Sequence, residues 1–233
     1  FHTYFTGQHL GDLPQNEGHM QQTEKEYQML TKELEKAKDA DQDLEQTHGV
    51  STYEIEMAIK KQKATDKAMD SDNIHPVILK HLGQESLQVL QFIFNWCLES
   101  GNWIWDTANV VFIRKEGKPS YMEAGAYRPI SITSYIGKLL ERIVDRRIRD
   151  MLGIKGDIDE NQEGFMEGKS TTRYLFRLLA NLEEVRRKRL ACIILFLDFE
   201  KAYDSVYIPR LCTKLHKAGI GLKLLALIKN FLL

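Results

Sequence analysis

Asp198 stands at the end of five apolar residues, Ile193 to Leu197, and Phe199, Glu200, Lys201, Ala202, Tyr203 and a second carboxylate, Asp204, follow it. Five apolar residues suit one buried strand and are too few for a helix. A carboxylate delivered just past a buried strand is costly to bury unless a cation meets it. Where phosphate chemistry is done, that cation is commonly a metal ion. The same stretch also reads as an Asp that caps the next turn, and the residues alone leave both readings open.

Two upstream segments carry further candidates. Val110 to Ile113 reads as a short strand, Arg114 to Gly125 as a polar, Gly-bearing connection, and Tyr127 to Ile132 as a returning strand. The result is a hairpin that carries Lys115 and Arg128. Arg offers a planar fork to phosphate oxygens and Lys a mobile point charge, although two solvated charges would look the same. In Asn161 to Leu179, Gly164 and Gly168 flank a tight turn, and Ser170 offers an N-cap to a helix from about Thr171 to Lys188.

The elements that position these residues are mostly helical. His19 to Gln46 is a charged helix with Tyr27, Leu30, Leu34, Ala37 and Leu44 on one side. Ser51 and Glu54 form a capping box that starts a helix to about Lys63. Pro76 suits the first turn of a short helix that Gly83 ends. Gln84 to Ser100 is apolar nearly all round, which predicts a buried helix. Ser134 starts another, with Ile136, Leu139, Leu140, Ile143, Val144 and Ile148 inward. Ile208 to Ala218 is a helix stopped by Gly219, and Leu222 begins one more. The fold class expected is α/β (α+β).

Composition narrows the function classes little. Hydrophobic residues make up 43% and charged residues 28% of the chain, an ordinary globular balance, and the net charge of −1 announces no global basic field. Residues 1–63 carry 12 acids and 7 bases, whereas the remaining 170 carry 21 and 25, so the basic side chains gather where the candidates lie. The clusters Arg142 to Arg149 and Arg186 to Arg189 could track a phosphate backbone or line exposed helix faces. Cys97, Cys192 and Cys212 are scattered, with no CxxC and no Cys/His cluster, which argues against zinc and a disulfide framework. A reduced, intracellular setting is the expectation, with nucleus and cytoplasm unresolved. No apolar run approaches the roughly 20 residues that span a bilayer.

Taken together, the segments resemble the reverse transcriptases of non-LTR (LINE-type) retrotransposons, over roughly residues 52–233. LFLDFEKAYDSV is similar to their first catalytic motif. Lys115 followed by Tyr127-Arg-Pro-Ile-Ser131 is similar to the basic strand end, loop and Tyr-Arg-Pro-Ile-Ser of the family. Gln162, Gly164, Phe165, Gly168, Lys169, Ser170 and Thr171 follow another family segment, with Met166 where Arg is usual. Lys67, Ala68, Asp72 and Ile74 follow a fourth, in which Asp70 and Asn73 replace glycines, departures that suggest a relaxed site.

The resemblance implies roles. Asp198 would hold both Mg²⁺ ions, aided by the backbone carbonyl of Phe199. Tyr203 would lie under the nucleotide sugar and exclude a 2′-hydroxyl. Lys115 and Arg128 would reach the triphosphate, with Phe199 and Tyr203 also at the nucleotide, and Gln162, Gly164 and Lys169 would contact template or nucleotide. Implied partners are an RNA template, a DNA primer and deoxynucleoside triphosphates, with no membrane. Residues 1–50 would be a charged helical extension, residues 51–190 a helix-rich fingers-like region with a β-hairpin, and residues 191–233 the start of a truncated palm sheet of the polymerase type.

The family's second carboxylate motif contains an Asp-Asp pair, and no such pair occurs in the 233 residues. With Phe1 rather than Met at its start, the chain is expected to be part of an RNA-directed DNA polymerase, inactive by itself. The alternative is a non-catalytic retroelement remnant that binds RNA or protein. A phosphohydrolase with a nucleophilic Asp198 would want a second Asp two positions on, where Glu200 stands.

Overall fold

Capping side chains set where several of the helices begin. The computed structural model describes residues 17–39, 48–62, 70, 72–155, 158–159, 161–199, 202–203 and 205–233. In chain order they form α1 (Glu17–Asp39), α2 (Thr52–Lys60), α3 (Pro76–Leu79) and α4 (Gln84–Ser100). A hairpin of β1 (Ala108–Arg114) and β2 (Tyr127–Thr133) follows, then α5 (Tyr135–Lys155), α6 (Thr171–Arg187), α7 (Ile208–Lys217) and α8 (Leu222–Leu232). At α2 the expected capping box is complete: Ser51 Oγ accepts from Glu54 N, and the Glu54 carboxylate accepts from Ser51 N. Ser170 Oγ accepts from Arg173 N at the start of α6. Pro76 occupies the first turn of α3, which stops at Leu79, so Gly83 serves as the N-cap of α4 rather than as a terminator. The expected continuation of α1 to Gln46, with Leu44, lies outside the described residues.

The chain divides into two compact units, one comprising residues to Met151 together with Val206–Leu233, the other Leu152–Ser205. The first holds the core. Leu30 and Leu34 of α1, Ile55 and Ile59 of α2, Phe94 and Cys97 of α4, Leu139 and Leu140 of α5 and the run Leu224 to Ile228 of α8 are buried in it. Helices α7 and α8 pack on α1, and α8 also on α4. Burial pushes the Cys97 thiol up to about 11, so it acts as a packing group. Gly101 ends α4 in the left-handed conformation, φ 66°, and a Cβ there would come within 2.8 Å of Ala226 Cβ. Only glycine allows both the turn and the close approach of α8.

Helix α4 is not buried all round as its composition suggests. Leu87, Leu90, Phe94, Cys97 and Leu98 face the core, while Val89, Phe92 and Trp96 are 59%, 73% and 44% exposed. Near-continuous apolar sequence fixes no face, so the packing partner decides which side is covered.

Two polar contacts stake α5 into the first unit. Asp70 is 2% exposed; its Oδ1 accepts from Asp72 N at 3.0 Å and Ile74 N at 2.9 Å, and its Oδ2 accepts from Tyr135 N at 2.6 Å. One carboxylate thus holds Asp72 and Ile74 and caps the first residue of α5, where the helix dipole favours a negative charge. Asn73 takes φ 57° in that turn, a conformation Asn tolerates. Asp70, expected as a glycine replacement at a relaxed site, is instead a buried carboxylate with three backbone hydrogen bonds. Farther along α5, Arg147 pairs with Glu54 at 3.0 Å and donates to the carbonyls of His48 and Gly49. Burial opposes ionisation of Glu54, but the Arg147 and Ser51 hydrogen bonds outweigh it and lower its pKa.

Among the described residues the only sheet is the antiparallel β1–β2 pair. The apolar run Ile193 to Leu197, expected as a buried strand, forms no strand and is exposed, with Ile193 at 95% and Leu197 at 82%. An apolar run becomes a strand only when another strand meets its N–H and C=O groups. No helix of the described residues is long and apolar enough to cross a membrane.

Asp70→Ala strands three backbone donors, so it should cost about 2–4 kcal/mol in urea unfolding. Arg147→Met should cost about 1–3 kcal/mol at pH 7. Because the folded pKa of Glu54 is depressed, its share of that stability is full above the ordinary carboxylate range. It is lost as the pH falls through the folded value. The gap between wild type and Arg147→Met should therefore narrow on acidification, leaving the part owed to the His48 and Gly49 carbonyls. A gap constant from pH 7 to pH 3 would refute the Glu54 contribution.

Candidate functional site

The hairpin positions the first set of candidates. Ile113 pairs with Arg128 and Arg114 with Tyr127 in the β1–β2 register. Lys115 N donates to Ala126 O at 2.8 Å, which extends the ladder one step past β1. Side chains alternate across a pleated strand, so Lys115 and Arg128 leave from the Ile113 face and Arg114 and Tyr127 from the other. Arg128 is exposed. The Lys115 ammonium donates to Gly125 O at 2.9 Å, folded back onto the connection between the strands.

That connection is ordered by tyrosines that sequence reasoning passed over. Tyr121 Oη donates to Lys115 O at 3.0 Å, and Tyr127 Oη donates to Tyr121 O at 3.1 Å. Two tyrosines six residues apart, one inside the polar Gly-bearing connection and one just after it, were the available signal.

The second unit carries the other candidates. Gln162 and Lys169 close a loop on themselves: Lys169 Nζ donates to Gln162 O at 2.8 Å, and Gln162 Nε2 donates to Gly164 O at 3.4 Å. Gly168 makes the tight turn with φ 75°. Glu163, whose side chain is 7% exposed, lies 3.4 Å from Arg177 and 3.8 Å from Arg173 of α6, which fastens the loop to that helix. The loop thus gathers Gln162, Gly164 and Lys169 into one feature.

Asp198 is exposed and its Oδ1 accepts from Phe199 N at 3.0 Å. Phe199 is 81% exposed, and Tyr203 lies in the following turn, 79% exposed. Glu200, Lys201 and Asp204 lie outside the described residues, as do Lys67 and Ala68. No group of three His, Cys, Asp or Glu side chains able to hold a metal ion occurs among the described residues. Asp198 is a hard oxygen donor of the kind Mg²⁺ prefers, and one carboxylate is fewer ligands than a whole metal site needs.

Comparison with known proteins covers the same segments. The family described as reverse transcriptase (RNA-dependent DNA polymerase) matches residues 113–232. The chain is 30% identical over 170 residues to the probable RNA-directed DNA polymerase from transposon BS of Drosophila melanogaster, covering 72% of this chain and 18% of that protein. It is 29% identical over 168 residues to the RNA-directed DNA polymerase from mobile element jockey of the same species, 71% of this chain and 18% of that one. Over 99 residues it is 33% identical to the retrovirus-related Pol polyprotein from type-1 retrotransposable element R2 of Nasonia vitripennis, 42% of this chain and 9% of that one. The chain spans less than a fifth of the length of these three relatives. The matched stretch takes in Lys115, Arg128, the Gln162–Lys169 loop and Asp198, and the chain belongs to the reverse transcriptase family in the form carried by non-LTR retrotransposons.

Proposed function

We propose that these residues are the nucleotide-selecting part of an RNA-directed DNA polymerase, with residues 51–190 as a fingers-like region and 191–233 as the start of the palm sheet. Lys115 and Arg128 bind the triphosphate of the incoming deoxynucleotide. Asp198 and the Phe199 carbonyl hold Mg²⁺, which when bound neutralises charge on the phosphates. Phe199 and Tyr203 contact the nucleotide, Tyr203 as the floor under its sugar, and Gln162, Gly164 and Lys169 contact template or nucleotide. The partners are an RNA template and a DNA primer. The observation that supports this reading is the β1–β2 register, continued one step by the Lys115 N to Ala126 O hydrogen bond, which puts Lys115 and Arg128 on one face of one hairpin.

The polypeptide of residues 1–233 does not by itself copy RNA. An in-line phosphoryl displacement between two metals about 3.5–4 Å apart needs more than one carboxylate segment, and no Asp-Asp pair occurs in the sequence. A second reading, an RNA- or protein-binding module without catalysis, draws on the exposed stripe Val89, Phe92 and Trp96 of α4. Contiguous exposed apolar surface is what partner docking uses.

Primer extension on an RNA template should give no product with the 233-residue polypeptide at any Mg²⁺ concentration. Product that disappears in Asp198→Ala would mean that Glu200, Asp204 or a second copy completes the metal site. In a longer chain that carries a second carboxylate motif, Tyr203→Ala should raise ribonucleotide incorporation relative to deoxyribonucleotide by roughly tenfold or more, as loss of one steric contact allows. An unchanged sugar preference would remove Tyr203 from the role given to it.

A further inference from the structure

We propose that Tyr121 is a positioning residue for the phosphate-reading side chain Lys115, an inference that rests on the triphosphate role given to Lys115 above. Residues 116–120 of the connection are exposed and carry no core-facing side chain. Four contacts converge on Tyr121 instead. Its Oη donates to Lys115 O at 3.0 Å, and its own carbonyl accepts from Tyr127 Oη at 3.1 Å. Its ring meets that of Tyr127 edge-on at 6.2 Å, and the Arg114 guanidinium lies over it, 5.2 Å from the centroid.

The placement of these contacts separates brace from reader. Arg114 and Tyr127 leave from one face of the hairpin and Arg128 from the other, and the Lys115 N to Ala126 O bond continues the ladder so that Lys115 falls on the Arg128 face. Tyr121 therefore braces the connection from behind while the reading face stays open. With Lys115 O held by Tyr121 and Lys115 N held by Ala126 O, the peptide groups on both sides of the lysine are fixed before any ligand arrives. Its ammonium rests on a neutral carbonyl, Gly125 O. A phosphate oxygen makes the stronger, charge-assisted bond, so the side chain can change partner while the backbone stays in place. Ordering the loop in advance removes a cost that would otherwise be met on binding.

The test is equilibrium binding of a fluorescent deoxynucleoside triphosphate, in Mg²⁺, to the 233-residue polypeptide. Inorganic tripolyphosphate serves as competitor, and melting temperature is recorded for each variant. Lys115→Ala and Tyr121→Ala should each weaken binding roughly tenfold, the worth of one hydrogen bond to a charged group. Tyr121→Phe keeps the ring contacts and loses only the bond to Lys115 O, so it should weaken binding about two- to fivefold. The melting temperature of Tyr121→Ala should stay within about 2 °C, since the connection is exposed and carries little of the global stability. Tripolyphosphate should displace the probe from the unsubstituted chain. Weakened binding in Lys115→Ala with unchanged binding in Tyr121→Ala overturns the positioning role and leaves the triphosphate reading standing. Unchanged binding in Lys115→Ala, no displacement by tripolyphosphate, or no binding by the unsubstituted chain overturns that reading and this inference with it. Should Tyr121→Ala melt well below that range, Tyr121→Phe decides, and wild-type affinity in it overturns the role.

Discussion

Three backbone N–H groups, two from the 72–74 turn and one from the first residue of α5, converge on the Asp70 carboxylate. That buried anion fixes where α5 begins, and α5 begins two residues after β2 ends. The root of the hairpin and the turn before α3 are thus tied to one side chain. Three turns along α5, Arg147 binds the Glu54 carboxylate and two carbonyls of the segment before α2. The helix is held by charge near both the hairpin and the α2 cap, and its apolar face, through Leu139, Leu140 and Ile143, does the rest. Burying Asp70 without those three donors would cost several kcal/mol, so the anchor and the helix start require each other.

The hairpin depends on such anchoring because it has little core of its own. All seven residues of β1 are exposed, and a two-stranded hairpin is marginal in water. Its order comes from the α5 root at one end and the Tyr121–Tyr127–Arg114 contacts at the other. Lys115 and Arg128 consequently sit on a platform braced at both ends, which holds their backbone in a fixed geometry.

Much of this was legible in the sequence. Helix starts were readable because capping is local: Ser51 with Glu54, Pro76, and Ser170 each specify a start within three or four residues. The hairpin was readable because apolar runs flank a polar, Gly-bearing connection. What could not be read was long-range. Asp70 accepts from Tyr135, 65 residues away, and nothing near Asp70 distinguishes a buried cap from a charge left at a replaced glycine. The outward face of α4 was hidden because a helix apolar on both sides carries no period that names the covered one. Ile193 to Leu197 has the composition of a strand, but composition supplies no partner, and among the described residues none pairs with it.

Asp70 and Asp198 show why a carboxylate's role is better judged from its hydrogen bonds than from its neighbours in sequence. A carboxylate offers about four lone-pair sites. Asp70 has three of them occupied by backbone donors and is sealed from solvent, so its hydrogen bonds serve the fold. Asp198, among the described residues, accepts one hydrogen bond, from its own neighbour Phe199, and is exposed. It retains the oxygen capacity that a hard divalent ion requires. Loss of Asp70 therefore falls on the fold, whereas Asp198 can be changed with little effect on the first unit's packing. That asymmetry is what allows a catalytic role for Asp198 to be tested apart from folding.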